Sequence, residues 1–126
     1  MAEVPGQPQL ASVPSARPTI STHVLDTDRG MPAEGVRVAL YRLDVGAAPI
    51  RMTQALTDAD GRVRDLLERP LTAGEYRLEF DLVGGEEDED PFFTRLAVDL
   101  SITDVGRSYH VPLLLAPYSM TTYRGS

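Results

Sequence analysis

The chain has 126 residues, no Cys, no Trp and a formal net charge of -7, a length that suits one domain. Its longest apolar run falls far short of the roughly 20 residues that a membrane helix needs, and its acidic balance argues against a nucleic-acid surface, which needs a basic face. Without Cys there is no disulfide framework, thiol nucleophile or Cys-ligated zinc, and because all 12 basic residues are Arg, lysine Schiff-base chemistry and the usual P-loop lysine are excluded as well.

Residues 1–18 carry Pro5, Pro8, Pro14 and Pro18 among small and polar residues. Proline at this density enters neither a helix nor a central strand. The segment also lacks the basic n-region and apolar h-region of a secretion signal. We expect a disordered proline-rich arm over 1–18, a folded domain over 19–126, and the cytoplasm as the compartment.

From Thr19 onward apolar residues recur with period two, the mark of half-buried strands. Val36, Val38 and Leu40 alternate with Arg37, Ala39 and Tyr41. Tyr76, Leu78, Phe80 and Leu82 alternate with Arg77, Glu79 and Asp81, and Leu96, Val98, Leu100 and Ile102 follow the same rule. Tyr109, Val111, Leu113 and Leu115 share a face, with His110, Pro112 and Leu114 opposite. Turn signals separate the runs: Asp26 to Gly30, Asp58 to Gly61, Thr72 to Gly74 and Ala116-Pro117.

These signals predict about eight short strands, over 19–25, 36–43, 50–57, 62–65, 75–83, 92–102, 107–115 and 118–124. Their regular spacing points to an all-β sandwich or barrel with at most one short helix. The best helix candidate is Val63 to Leu71, which Pro70 cuts short. Glu86 to Asp90 is a run of five acids, read as a solvated loop.

Few residues can do chemistry. The two histidines are His23 and His110, and alternation turns each away from the apolar face of its strand. They are either two unrelated surface residues or a paired imidazole site. Imidazole titrates near pH 6.5, so in the second case it could take a proton from water and return it. Two imidazoles and a carboxylate could also hold zinc. Arg62, after the Asp60-Gly61 turn, is either a solvated strand end or a fixed charge for a carbonyl or oxyanion. The last residues, Tyr123-Arg124-Gly125-Ser126, would bring a phenol, a guanidinium and a hydroxyl to one place if they docked.

Four stretches carry a resemblance: Ser21 to Thr27 (Ser-Thr-His-Val-Leu-Asp-Thr), Asp60-Gly61-Arg62, Tyr109 to Leu115 (Tyr-His-Val-Pro-Leu-Leu-Leu), and Tyr123 to Ser126. In this order they resemble the signature blocks of the 5-hydroxyisourate hydrolases, the enzymatic branch of the transthyretin-like family. The likeness runs from about Ile20 to Ser126. It departs at Ala116, where Ser is common, at Ser108, where a third His often stands, and at Met120-Thr121.

The resemblance implies a transthyretin-like sandwich of eight strands in two sheets and a homotetramer built as a dimer of dimers around a channel. It implies cofactor-free, metal-independent hydrolysis of 5-hydroxyisourate in urate breakdown. His23, Arg62, His110 and Ser126 would be the catalytic residues, with Tyr123 also on the substrate. The alternative is a non-catalytic transthyretin-like domain that binds a small ligand or serves a structural role.

Overall fold

A computed structural model describes residues 17–83 and 91–125. Most of the expected arm, the acidic run Glu86 to Asp90 and Ser126 lie outside the described residues. Nine strands are present within them: β1 (Ile20–Asp26), β2 (Met31–Pro32), β3 (Arg37–Leu43), β4 (Ile50–Leu56), β5 (Arg62–Val63), β6 (Gly74–Asp81), β7 (Arg95–Ile102), β8 (Tyr109–Ala116) and β9 (Ser119–Thr122).

The strands form two sheets. One runs β9-β8-β1-β2, with β5 also pairing to β1, and the other runs β4-β3-β6-β7. β1 and β8 are parallel, and every other pair is antiparallel. The sheets bury their facing sides against each other, as in a sandwich. Ile20, Val24, Tyr109, Val111 and Leu113 from the first sheet meet Val38, Leu40, Tyr76, Leu78, Phe80 and Ile102 from the second. The alternation read from the sequence is the alternation that packs this core.

Two polar residues are buried among those described, Thr22 and Thr57. Thr22 is almost fully buried, and its hydroxyl donates to the Val111 carbonyl at 2.6 Å. A hydroxyl buried without such a partner would cost about 1–3 kcal/mol.

The structure adds one short strand to the sequence reading and leaves its one helix candidate without a helix, within the expectation of at most one. Met31–Pro32 adds a two-residue strand to the expected eight, held to β1 by Leu25↔Pro32 and Asp26↔Met31. Residues 64–71 form no helix. Asp65 Oδ1 accepts from the Leu67 and Glu68 amides, and Glu68 turns left-handed at φ 55°. Leu66, Leu67 and Leu71 are thereby driven into the core. Side-chain capping by Asp competes with helix formation in this way.

Candidate active site

The outward face of the first sheet gathers the chemistry-bearing residues. The Cα register sets Ser21 beside His110 and His23 beside Pro112 on the β1–β8 side. On the other side of β1 it sets His23 beside Arg62. Residues two apart on a strand share a face, so Arg62, His23, Ser21 and His110 lie across three adjacent strands on one surface. Standard strand spacing and rise place the two histidine Cα atoms about 8 Å apart. The fold thus sets His23, Arg62 and His110, three of the four residues that the resemblance names as catalytic, on one sheet face.

Arg62 and His23 are held by the turn between β4 and β5. Asp58 Oδ1 accepts from the Asp60 amide at 2.8 Å and from the Arg62 amide at 3.0 Å. The second of these bonds leads the causes that hold the Asp58 carboxyl below the usual range. Gly61 closes the turn at φ +78°, and a Cβ there would run into the Val24 carbonyl oxygen. Only Gly combines that angle with so close an approach. The Gly61 carbonyl in turn accepts from the Val24 amide at 2.7 Å, locking the turn against β1.

The same turn presents the Asp60 carbonyl to His23. Nε2 of His23 lies 2.9 Å from that oxygen. A carbonyl only accepts, so Nε2 carries the proton and the lone pair of a neutral His23 is on Nδ1.

His110 is half-buried. Its Nδ1 is 2.8 Å from the Ser21 hydroxyl. Burial foremost, then the positive charges of Arg62 and His23, lower its pKa below the ordinary 6.5. At neutral pH it is therefore an uncharged imidazole, the form that can accept a proton.

The C-terminal tail continues β9 in register. The β8–β9 ladder runs from Ser119 opposite Ala116 to Thr122 opposite Leu113. Gly125 donates its N–H to the His110 carbonyl at 2.7 Å, the partner that the same register gives it. The formal strand stops at Thr122 because the next pair, Tyr123 opposite Pro112, meets a residue with no N–H to give. The Thr122 hydroxyl instead donates to the Pro112 carbonyl at 2.8 Å.

Gly125 lies directly on the imidazole. A Cβ there would be 2.7 Å from His110 Cδ2 and 3.3 Å from Pro112 Cγ. Sequence reasoning placed Gly125 only within a motif; the crowding explains the residue type. Tyr123 is half-exposed and, with Thr122 and Arg124, lines a cavity of about 340 Å³ between the edges of β7 and β9. Val98, Leu100, Tyr109 and Val111 form its apolar wall. Ser126 lies outside the described residues.

Among the described residues no three His, Asp or Glu side chains converge as a metal site would require. The arrangement offers a neutral imidazole at His110, a second imidazole of fixed tautomer, and a guanidinium, all on one face. Those are the parts for moving a proton and stabilising an oxyanion.

A family model described as HIUase/Transthyretin matches residues 20–125. The chain is 40% identical over 119 residues to a 5-hydroxyisourate hydrolase of Deinococcus radiodurans, covering 89% of this chain and 99% of that one. The Klebsiella pneumoniae 5-hydroxyisourate hydrolase structure superposes with a TM-score of 0.75 at 37% identity, covering 86% of this chain and 99% of that one. A transthyretin structure from Sparus aurata gives a TM-score of 0.77 at 28% identity, with coverage of 86% and 97%.

Proposed function

The chain belongs to the HIUase/Transthyretin family, and we propose that it is a 5-hydroxyisourate hydrolase of urate breakdown. The observation that carries this reading is the convergence of His23, Arg62 and His110 on one sheet face, with the tail at Gly125 laid over the second imidazole.

Water adds to the C6 carbonyl of 5-hydroxyisourate, the N1–C6 bond breaks, and the product is 2-oxo-4-hydroxy-4-carboxy-5-ureidoimidazoline. His110 takes the water proton on its free nitrogen and returns it to N1 as that nitrogen leaves. A positioned base of this kind contributes typically about 10²–10⁴-fold. His23, with Nε2–H fixed on Asp60, offers Nδ1 to orient the same water. Arg62 binds the polar ring and stabilises the negative charge that develops on the C6 oxygen. Loss of one such donor typically costs about 3–4 kcal/mol in the barrier. Tyr123 and Ser126 close the pocket over the substrate. No cofactor takes part in this scheme.

We further propose that the working form is a homotetramer in the cytoplasm. The β7 and β9 edges, with the apolar cavity between them, are the surfaces that a second copy would cover. Unpaired strand edges invite such pairing. Two dimers packing through the sheet that bears His23 and His110 would enclose the site and exclude bulk water from it.

The test is direct. 5-Hydroxyisourate is generated from urate with urate oxidase, and its ultraviolet decay is followed with and without this protein. Accelerated decay supports the reading. Decay at the spontaneous rate, with correctly folded protein present, sinks it.

A further inference from the structure

The two imidazoles of the site have different partners. His23 meets a backbone carbonyl, which can only accept. His110 meets the Ser21 hydroxyl, which can do either. We propose that Ser21 is a positioning residue whose hydroxyl oxygen accepts a hydrogen bond from His110 Nδ1–H, leaving Nε2 of His110 as the unprotonated nitrogen. The proposal rests on the hydrolase reading for its consequence in catalysis, but not for the tautomer itself.

Three observations carry it. First, the parallel register makes Ser21 and His110 lateral neighbours across the β1–β8 ladder. No loop intervenes, and the 2.8 Å contact is set by the rigid sheet.

Second, the other edges of the ring are accounted for. Gly125 lies against the Cγ–Cδ2 side and Ser21 occupies Nδ1. Among the described residues, Cε1 and Nε2 are the edges left for a substrate or water. A proton acceptor at this position therefore has to be Nε2, and Nε2 is free only if the proton resides on Nδ1.

Third, a hydroxyl that accepts from Nδ1–H keeps the same bond before and after His110 picks up a proton, because both ring nitrogens donate in the imidazolium. The bond becomes charge-assisted at that moment. A donating Ser21 would have to rotate away instead. Ser21 thus offsets part of the burial and the positive surroundings that work against charging this ring. The titratable and charged groups around His110 are His23 on β1 and Arg62 on β5, with Tyr123 and Arg124 in the tail flanking Gly125.

The test reads the tautomer without substrate. The chain holds two histidines, so two-bond ¹H–¹⁵N correlation spectra of the labelled full-length protein at pH 8 contain two imidazole patterns. Arg62→Gln and His23→Gln variants assign them. The expected wild-type result is Nδ1–H for His110 and Nε2–H for His23. In Ser21→Ala, His110 reverts to the Nε2–H form that an unconstrained histidine prefers in water. An Nε2–H pattern for His110 in the wild type, or an Nδ1–H pattern that survives Ser21→Ala, overturns the proposal.

Kinetics supply the second readout. Ser21→Ala lowers kcat about tenfold with KM little changed, as expected when one orienting hydrogen bond is lost, and moves the acid limb of kcat/KM to lower pH. Ser21→Thr, which keeps the hydroxyl on a strand-compatible side chain, restores both. Should Ser21→Ala fail to fold, the wild-type and Ser21→Thr spectra decide the matter alone. A confirmed tautomer in a protein that does not hydrolyse 5-hydroxyisourate would remove the hydrolase reading and leave Ser21 in its role.

Discussion

Adding one methyl group at Gly125 probes the site at the point where the tail meets the base. In Gly125→Ala the new Cβ would stand 2.7 Å from His110 Cδ2, with Pro112 Cγ at 3.3 Å closing one direction of retreat. Carbon–carbon contacts are comfortable at about 3.5–4.0 Å, so the overlap is about 1 Å. The Pro112 ring is rigid and sits in a strand, which leaves the imidazole or the tail to move. Gly125 does not lie in the left-handed region, so alanine brings no backbone penalty of its own. Turning the His110 ring off its rotamer by some 30° would cost about 0.5–1.5 kcal/mol. That is small against folding, and the thermal midpoint is expected to fall by only a few degrees.

Catalysis is far less tolerant. A misplacement of about 1 Å at a reacting group can cost on the order of 10²-fold in rate. The expected result is therefore a large loss of kcat in the 5-hydroxyisourate decay assay, in a protein whose circular dichroism and oligomeric state match the parent. Turnover within twofold of the parent would refute the argument that the glycine exists to let the tail lie against the imidazole.

Removing the base should cost more. His110→Ala is expected to lower kcat by about 10²–10⁴-fold and His23→Ala to lower it less, while gel filtration shows an unchanged assembly; full turnover in both would discard the imidazole assignment. Activity should decline as pH falls through the His110 range, below the ordinary 6.5 because burial, Arg62 and His23 all lower it, and a flat rate from pH 5 to 8 would contradict a neutral imidazole base. The same depressed value means that below about pH 6.5 the unfolded chain binds a proton that the folded chain resists. The contribution of His110 to stability is thus intact above that pH and is lost as pH falls toward the lowered folded value, which urea titrations at pH 7.5 and 5.5 would detect. Gly61→Ala forces a left-handed alanine into the Val24 carbonyl, and a penalty of at least about 1–3 kcal/mol should appear as a midpoint lower by several degrees; an unchanged midpoint would mean the turn is not under that constraint.

Alternation made the sandwich legible. β1, β6 and β7 alternate between inward and more exposed residues, and most residues marked as apolar by period two lie in or against the core, while β3 and β8 also bury the residue between, Ala39 and Pro112. Met31–Pro32 was hidden because two residues are too few to show a period. In the 64–71 segment Pro70 already argued against a long helix, and the local Asp65 bonds to the Leu67 and Glu68 amides replace even a short one.

The outward turn of His23 and His110 was likewise readable, and the motifs singled out Arg62. Their adjacency was not. It depends on a parallel pairing between residues 89 positions apart and on a turn whose Asp58 and Gly61 fix the Arg62 register. Ser21 stood only as the first residue of a motif, although it lies two residues before His23 in a period-two strand, which alone puts a hydroxyl on the same face. The crowding at Gly125 has no counterpart in local sequence.

The tail is anchored to the backbone of the very residue whose ring it covers, through the Gly125 N–H and the His110 carbonyl. Most flaps are hinged far from what they shelter, so thermal drift at the hinge becomes error at the tip. Here cover and base share one reference point, and a tremor of β8 carries both in step. The gap between them is accordingly indifferent to breathing elsewhere in the sheet.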